Sequence, residues 1–181
     1  MRYVNLGHSG LKVSRVSIGA WLTYGDSVGA EAAKPILRHA LESGINMIDT
    51  ADIYARGEAE RVIAPVLKEI PRHHLVLATK CFWPMSNDPN DRGLSRKHII
   101  ESVEGSLKRL QQDYVDIMYC HRFDENTPLE ETVRAMGDVI RQGKVLYWGT
   151  SCWTADQLSD VHQIASDLGV PRPIVEQPCY N

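Results

Sequence analysis

The amino-acid sequence predicts an α/β fold, a parallel sheet covered by helices and curved toward a (βα) barrel. Three observations carry that prediction. Short apolar runs begin near Val16, Asn46, Leu75, Val115, Val145 and Ile174, mostly at intervals of about 30 residues, the length of one βα unit. The segments between them have helical apolar periodicity, as crossovers between parallel strands require. Polar residues stand at the end of nearly every run rather than at one switch point. The first run passes into Gly19-Ala20-Trp21-Leu22-Thr23-Tyr24-Gly25, without the G-x-G-x-x-G turn of a doubly wound nucleotide-binding sheet.

Taken in order, Val4 to Ser14 reads as two short strands about a Gly/Ser turn, a hairpin. The first helix is expected over Ala33–Leu41, with Ile36, Leu37, Ala40 and Leu41 on one face and Gly44 as its stop. The second is expected over Ala59–Ile70, on the stripe Val62, Ile63, Val66, Leu67 and Ile70. A polar insertion, Pro84 to Gly93, enlarges the loop after the third run. Ser95 then caps a helix that buries Ile99, Ile100, Val103, Leu107 and Leu110. Thr127-Pro128-Leu129-Glu130 and Thr154-Ala155-Asp156-Gln157 read as capping boxes, and Gly143 and Gly169 end the helices that follow.

Composition bounds the function. With 43% hydrophobic and 24% charged residues, net charge -3 and a pI near 6.2, the 181-residue chain has the profile of one soluble domain. Mild acidity gives no reason to expect nucleic acid as a partner. No apolar run is long enough to insert in a membrane, and no signal peptide is visible. Cys81, Cys120, Cys152 and Cys179 lack C-x-x-C spacing and read as reduced thiols of a cytoplasmic protein, with no metal site. His73, His74 and His98 read as solvated.

The last residues of the six runs are Trp21, Asp49, Lys80, His121, Ser151 and Gln177. A barrel brings the C-terminal ends of its strands to one mouth. Strand alternation then places Met47, Val76, Ala78, Ile117 and Tyr119 in the interior with them, and turns Cys81, Cys120 and Cys152 outward under the helices.

The chemistry follows from that set. A carboxylate at a buried strand end needs a cation, and Lys80 supplies one for Asp49. An ammonium beside Tyr54 makes its phenol a usable acid near neutral pH. His121 can donate a hydrogen bond to a carbonyl oxygen and hold it next to Tyr54. A group that takes a proton from tyrosine while charge builds on oxygen is a carbonyl under reduction. The hydride must come from a cofactor, because no side chain supplies one. Ser151 and Gln177 suit a carboxamide such as that of nicotinamide. Trp21, Tyr24, Trp83 and Trp153 offer an apolar wall.

These residues resemble the aldo-keto reductase family along the whole chain. The resemblance lies in Leu6-Gly7-His8-Ser9-Gly10-Leu11-Lys12-Val13-Ser14, Asp49-Thr50-Ala51-Asp52-Ile53-Tyr54, Thr79-Lys80, the run Tyr114 to His121, and Trp148-Gly149-Thr150-Ser151. Gly93 to Glu101 and Glu130 to Met136 are similar to the branch that holds the β-subunits of voltage-gated potassium channels and their bacterial relatives. The resemblance implies a (βα)8 TIM-type barrel with a hairpin closing its bottom and NADPH across its top. It implies a catalytic tetrad of Asp49, Tyr54, Lys80 and His121, with Tyr54 as general acid. It implies cofactor contacts from Trp21, Asp49, Ser151, Cys152 and Gln177, although the family usually carries a larger polar residue at the position of Cys152.

Six strands fall short of eight. The expectation is that residues 1–181 form an incomplete reductase domain, lacking the C-terminal tail and the seventh and eighth strands, which the resemblance implies hold the cofactor phosphates. Such a fragment is expected to be inactive or to bind NADPH weakly. The implied activity is reduction of small aldehydes or ketones to alcohols. The alternative is a channel β-subunit-like binding module with redox sensing secondary. A homo-oligomer is compatible with both.

Overall fold

The computed structural model describes residues 1–179. Its order of elements follows the predicted alternation. Strands β1 (Tyr3–Asn5) and β2 (Lys12–Ser14) form an antiparallel hairpin. Then come β3 (Ile18–Gly19), α1 (Ala30–Glu42), β4 (Met47–Asp49), α2 (Glu58–Leu67), β5 (Val76–Cys81), α3 (Arg96–Leu110), β6 (Val115–Cys120), α4 (Leu129–Arg141), β7 (Val145–Thr150), α5 (Ala155–Asp167) and β8 (Val175–Glu176). Strands β3 to β8 make one six-stranded sheet in chain order, each pair parallel. The sheet curls as half of a barrel. Among the described residues, β3 and β8 each pair on one side only. No helix among them is long and apolar enough to cross a membrane.

Two apolar clusters lie on opposite faces of this sheet, as strand alternation requires. The larger joins the helices to the outer face and includes Leu37, Ile63, Ile99, Val133 and Val161 with Ile48, Leu77, Met118 and Trp148. Cys81 and Cys120 belong to it, in the outward position the pattern predicted. The smaller fills the concave side with Met47, Val76, Ala78, Ile117 and Tyr119. The hairpin closes that side from below, for Val13 belongs to the inner cluster and Leu6 and Leu11 pack against it.

Asn46 fixes the hairpin in place. Its Oδ1 accepts from the Ser14 amide at 2.8 Å and its Nδ2 donates to the Lys12 carbonyl at 3.0 Å, while the Ser14 hydroxyl accepts from the Asn46 amide at 3.1 Å. The far end of the hairpin approaches the chain just before β8 at Gly7, which has φ 55°. A Cβ there would lie 2.2 Å from the Ile174 carbonyl oxygen, so only glycine allows the approach.

The helix ends bear on the expectations individually. Ser95 caps α3 through the His98 amide, and Thr154 with Gln157 forms the expected capping box of α5. Gly44, Gly143 and Gly169 stand past helix ends with positive φ. The box at Thr127 does not form. Pro128 is the N-cap of α4, because the Thr127 hydroxyl instead donates to the Asp124 carboxylate at 2.8 Å. Helix α2 stops at Leu67 rather than Ile70. His98, expected to be solvated, is buried in α3. The Pro84–Gly93 loop folds back on itself through the Gly93 amide and Phe82 carbonyl, and brings Asp91 to 3.7 Å from the His98 imidazole.

Replacing Asn46 by Ala removes two side-chain hydrogen bonds and leaves the hairpin held by apolar contact, the Asn46 amide to Ser14 hydroxyl bond and the Tyr3 hydroxyl on the Gly44 carbonyl. Asn46→Ala is expected to lower unfolding free energy by about 1–3 kcal/mol, read from urea denaturation. A change below about 0.5 kcal/mol would mean that the hairpin is held otherwise.

Candidate functional site

The site is built on the parallel register of β4 and β5. Asp49 pairs with Ala78, and Lys80 stands one inward-facing position further along β5. Both side chains therefore enter the concave side at the C-terminal end of the sheet. Lys80 is 1% exposed. Its three ammonium protons meet three acceptors: Asp49 Oδ2 at 2.5 Å, the Thr50 carbonyl at 2.9 Å and the Tyr54 hydroxyl at 3.2 Å. Burial of an ammonium is offset only where acceptors meet its protons in this way.

Tyr54 reaches Lys80 because the loop after β4 is stitched to β5. The Thr50 amide donates to the Ala78 carbonyl at 3.0 Å and the Asp52 amide to the Lys80 carbonyl at 3.2 Å. After Tyr54 the chain reverses through three left-handed residues, Ala55, Arg56 and Gly57 (φ 47°, 51° and 88°). The first two cost about 1–2 kcal/mol each, so surrounding contacts must hold the turn. Gly25 packs against it from one side, where a Cβ would lie 2.8 Å from Ala55 Cβ.

On the other side lies a buried polar network that the sequence reading missed. Glu60 Oε1 accepts from the Thr79 hydroxyl at 2.7 Å and Oε2 from Arg109 Nε at 2.6 Å. The Arg109 side chain lies under Gly57 and also bonds the Ser106 hydroxyl at 3.2 Å. Asp52 accepts from the Ser102 hydroxyl at 2.8 Å. One signal was present: Glu60 stands three residues before Ile63 and seven before Leu67, a carboxylate on the apolar stripe of α2. Burial pushes the Asp52 carboxyl up to about 7, with the nearby Glu60 adding to the effect.

His121 follows β6 directly, its amide bonded to the Cys81 carbonyl at 3.1 Å. Its ring stands edge-on to Tyr54 with centroids 5.8 Å apart. Burial, then Lys80 and Arg122, lowers its pKa to about 3. The imidazole is thus neutral in the physiological range, with one N–H to donate. Tyr119 also approaches Lys80, but it is buried in the inner cluster and burial raises its pKa. Tyr54 is the phenol of the two that lines the open cavity.

That cavity, about 710 Å³, is lined by Asp49, Tyr54 and His121, and by Trp21, Ser151, Cys152 and Gln177. Lys80 forms part of the floor beneath. Asp49, Tyr54, His121, Trp21, Ser151, Cys152 and Gln177 thus meet at one mouth, with Lys80 bonded to Asp49 and Tyr54. The Ser151 hydroxyl lies 3.0 Å from the Gln177 carbonyl and the Gln177 amide bonds the Thr150 carbonyl at 2.9 Å, so these strand ends are held together. Asp49 Oδ1 is buried with no hydrogen-bond partner among the described residues. Arg122, not singled out from the sequence, lines the same cavity, bonds the His121 carbonyl and stands 5.8 Å from the Trp83 ring.

Three aromatic or thiol expectations need correction. Tyr24 and Trp153 are not wall residues. Both are buried in the helix-side core, Trp153 edge-on to Phe123 at 4.9 Å. Trp21, 66% exposed, and Trp83 do line the mouth. Cys152 does not face the helices. A left-handed backbone (φ 56°) breaks strand alternation just past β7 and leaves its thiol exposed at the cavity.

The sequence profile described as the aldo/keto reductase family matches residues 15–181. Over 183 aligned residues the chain is 49% identical to a protein of Oryza sativa subsp. japonica named "Probable voltage-gated potassium channel subunit beta". It is 50% identical over the same length to a protein of that name from Arabidopsis thaliana. Each alignment covers all of this chain and 56% of the relative. The chain thus spans little more than half the length of these relatives.

The buried Asp52 gives a pH test. Folded, it holds its proton up to about 7, whereas in the unfolded chain a carboxyl releases it near ~3.9. Between those values the folded state binds more protons, so this group's contribution to stability falls as pH rises from ~4 toward ~7. Asp52→Asn keeps an acceptor for Ser102 and is expected to remove that decline. The measurement is urea unfolding at stepped pH for both proteins; parallel pH profiles would refute the assignment.

Proposed function

Because the chain belongs to the aldo/keto reductase family, we propose that it carries the proton-transfer site of an enzyme that reduces aldehydes or ketones to alcohols with NADPH. The observation that carries this reading is Lys80, bonded at once to Asp49 and to the Tyr54 hydroxyl beside a neutral His121. With the Tyr54 oxygen accepting from Lys80, its own proton is free to point into the cavity. As that proton passes to a substrate oxygen, the ammonium stabilises the phenolate left behind. Asp49 holds Lys80 in place. The His121 N–H positions the substrate carbonyl and polarises it.

The residues fit the nicotinamide end of the cofactor. The unpaired Asp49 Oδ1 offers an acceptor to a sugar hydroxyl. Ser151 and Gln177 line the cavity where a carboxamide would sit, and Trp21 and Cys152 complete the wall. When bound, NADPH supplies the hydride. We place the protein in the cytoplasm, with small carbonyl compounds as substrates. We also propose that the domain extends beyond this chain, with two further strands between β8 and β3. The single-sided pairing of those strands and the greater length of the relatives support this.

The relatives' names support a second reading, a β-subunit-like regulatory module that docks to a potassium channel. One substitution separates the two. In the longer protein, Tyr54→Phe is expected to lower kcat for aldehyde reduction by about 10²–10⁴ with little change in KM, while capture by a channel domain is unaffected. Turnover within about threefold of the parent would remove Tyr54 as the acid.

The phosphate-binding strands are proposed to lie outside this chain. The 181-residue chain alone is therefore expected to bind NADPH far more weakly than micromolar. A fluorescence titration giving a micromolar Kd would overturn that expectation.

A further inference from the structure

The four cysteines divide into two pairs with opposite chemistry. Cys81 and Cys120 are fully buried in the helix-side core, and burial raises both thiol pKa values. They are shielded from solutes and reluctant to ionise. Cys152 and Cys179 are exposed at the cavity mouth, and their sulfur atoms stand 3.9 Å apart.

That approach is imposed by the sheet. Thr150 pairs with Glu176 in the parallel ladder, and the Gln177 amide continues it to the Thr150 carbonyl. Cys152 follows two residues after Thr150 and Cys179 three after Glu176, on neighbouring strand ends. Adjacent strands lie ~4.8 Å apart, within the ~4.4–6.8 Å that separates the Cα atoms of a disulfide. The left-handed backbone at Cys152 turns its thiol to the mouth, where it faces the Gln177 carbonyl as well as Cys179. Bond formation requires the two sulfurs to close by about 2 Å.

We propose that Cys152 and Cys179 form a dithiol modification site that a peroxide converts to an intramolecular disulfide. The thiolate of one cysteine attacks a peroxide oxygen. The O–O bond breaks, a sulfenic acid forms, and the departing hydroxide takes up a proton as water. The second thiol loses its proton and attacks the sulfenic sulfur; the S–S bond forms and the sulfenic oxygen leaves as a second water. Two thiols lose two electrons, and one hydrogen peroxide becomes two waters. The disulfide ties the end of β7 to the end of β8, beside Ser151 and Gln177.

The test uses the 181-residue chain, reduced, freed of reductant and treated with one equivalent of hydrogen peroxide. Remaining thiols are blocked with N-ethylmaleimide under denaturing conditions, and the non-reduced digest is mapped by mass spectrometry. The expected product is one cross-linked peptide pair joining Cys152 to Cys179, lighter by two hydrogens than the sum of its parts and split by a thiol reductant. No disulfide joins two chains, and Cys81 and Cys120 carry the blocking group. Cys152→Ser and Cys179→Ser each abolish the cross-link, leaving the remaining exposed thiol to stop at sulfenic acid or a mixed disulfide. Sulfinic acid on either residue without a cross-link overturns the proposal. So do cross-links only between chains, or both thiols left free under peroxide that oxidises the single-serine variants. None of these readouts depends on cofactor binding, so the site stands or falls apart from the reductase reading.

Discussion

A lysine ammonium buried at the end of β5 sets the terms for everything around it. Its charge is tolerable only with acceptors for all three protons, and Asp49, the Thr50 carbonyl and Tyr54 are those acceptors. Each partner constrains a different part of the chain. Asp49 requires β4 to pair with β5 in one register, because a shift by one residue would turn its carboxylate to the opposite face. The Thr50 carbonyl requires the loop to leave β4 without diverging from β5. Tyr54 requires that loop to curl back over the strand ends. Loss of Asp49 alone would leave an uncompensated buried charge, a change of about 3–5 kcal/mol.

The opposite face of β5 supports the same loop by other means. Lys80 points inward, while its neighbour Thr79 points outward to Glu60, and Glu60 holds Arg109 beneath the turn after Tyr54. The left-handed residues of that turn are strained alone, but they are clamped between Gly25 and Arg109. The phenol is thereby positioned by contacts from α2, α3 and both faces of one strand. Such support on rigid elements is what a proton donor needs if its oxygen is to stay within hydrogen-bond reach.

The mouth above this floor joins two kinds of surface. On one side stand the neutral His121, Arg122 and Trp83; on the other, the strand ends of β7 and β8 carry Ser151, Cys152, Gln177 and Cys179. The first side is fixed by burial, which keeps the His121 imidazole from taking up a second proton. The second is fixed by the ladder running past the formal strand ends. The cysteine pair arises from that ladder together with one left-handed residue.

The sequence by itself determined the alternation of elements, the parallel sheet, the inward and outward sides of its strands, and the meeting of Asp49, Tyr54, Lys80 and His121. These follow from local rules: apolar period, turn chemistry, and the fact that parallel strands present their C-terminal ends together. The tertiary structure decided what local rules cannot reach. Thr127 failed as a cap because Asp124, three residues before it, captured its hydroxyl. Tyr24 and Trp153 went into the core on the helix side, Trp153 against Phe123. His98 was buried by a loop that the sequence marks only as polar. Cys152 turned to the mouth because one residue took a positive φ and ended the strand's alternation. The Glu60–Arg109 pair joins α2 to α3 on the outer face of β5, and the charge on α2 could hint at it without naming its partner. The Glu60–Arg109 contact joins segments distant along the chain, while the Thr127 and Cys152 outcomes turn on a competing partner three residues away and on one positive φ, and apolar period and capping pattern encode none of these.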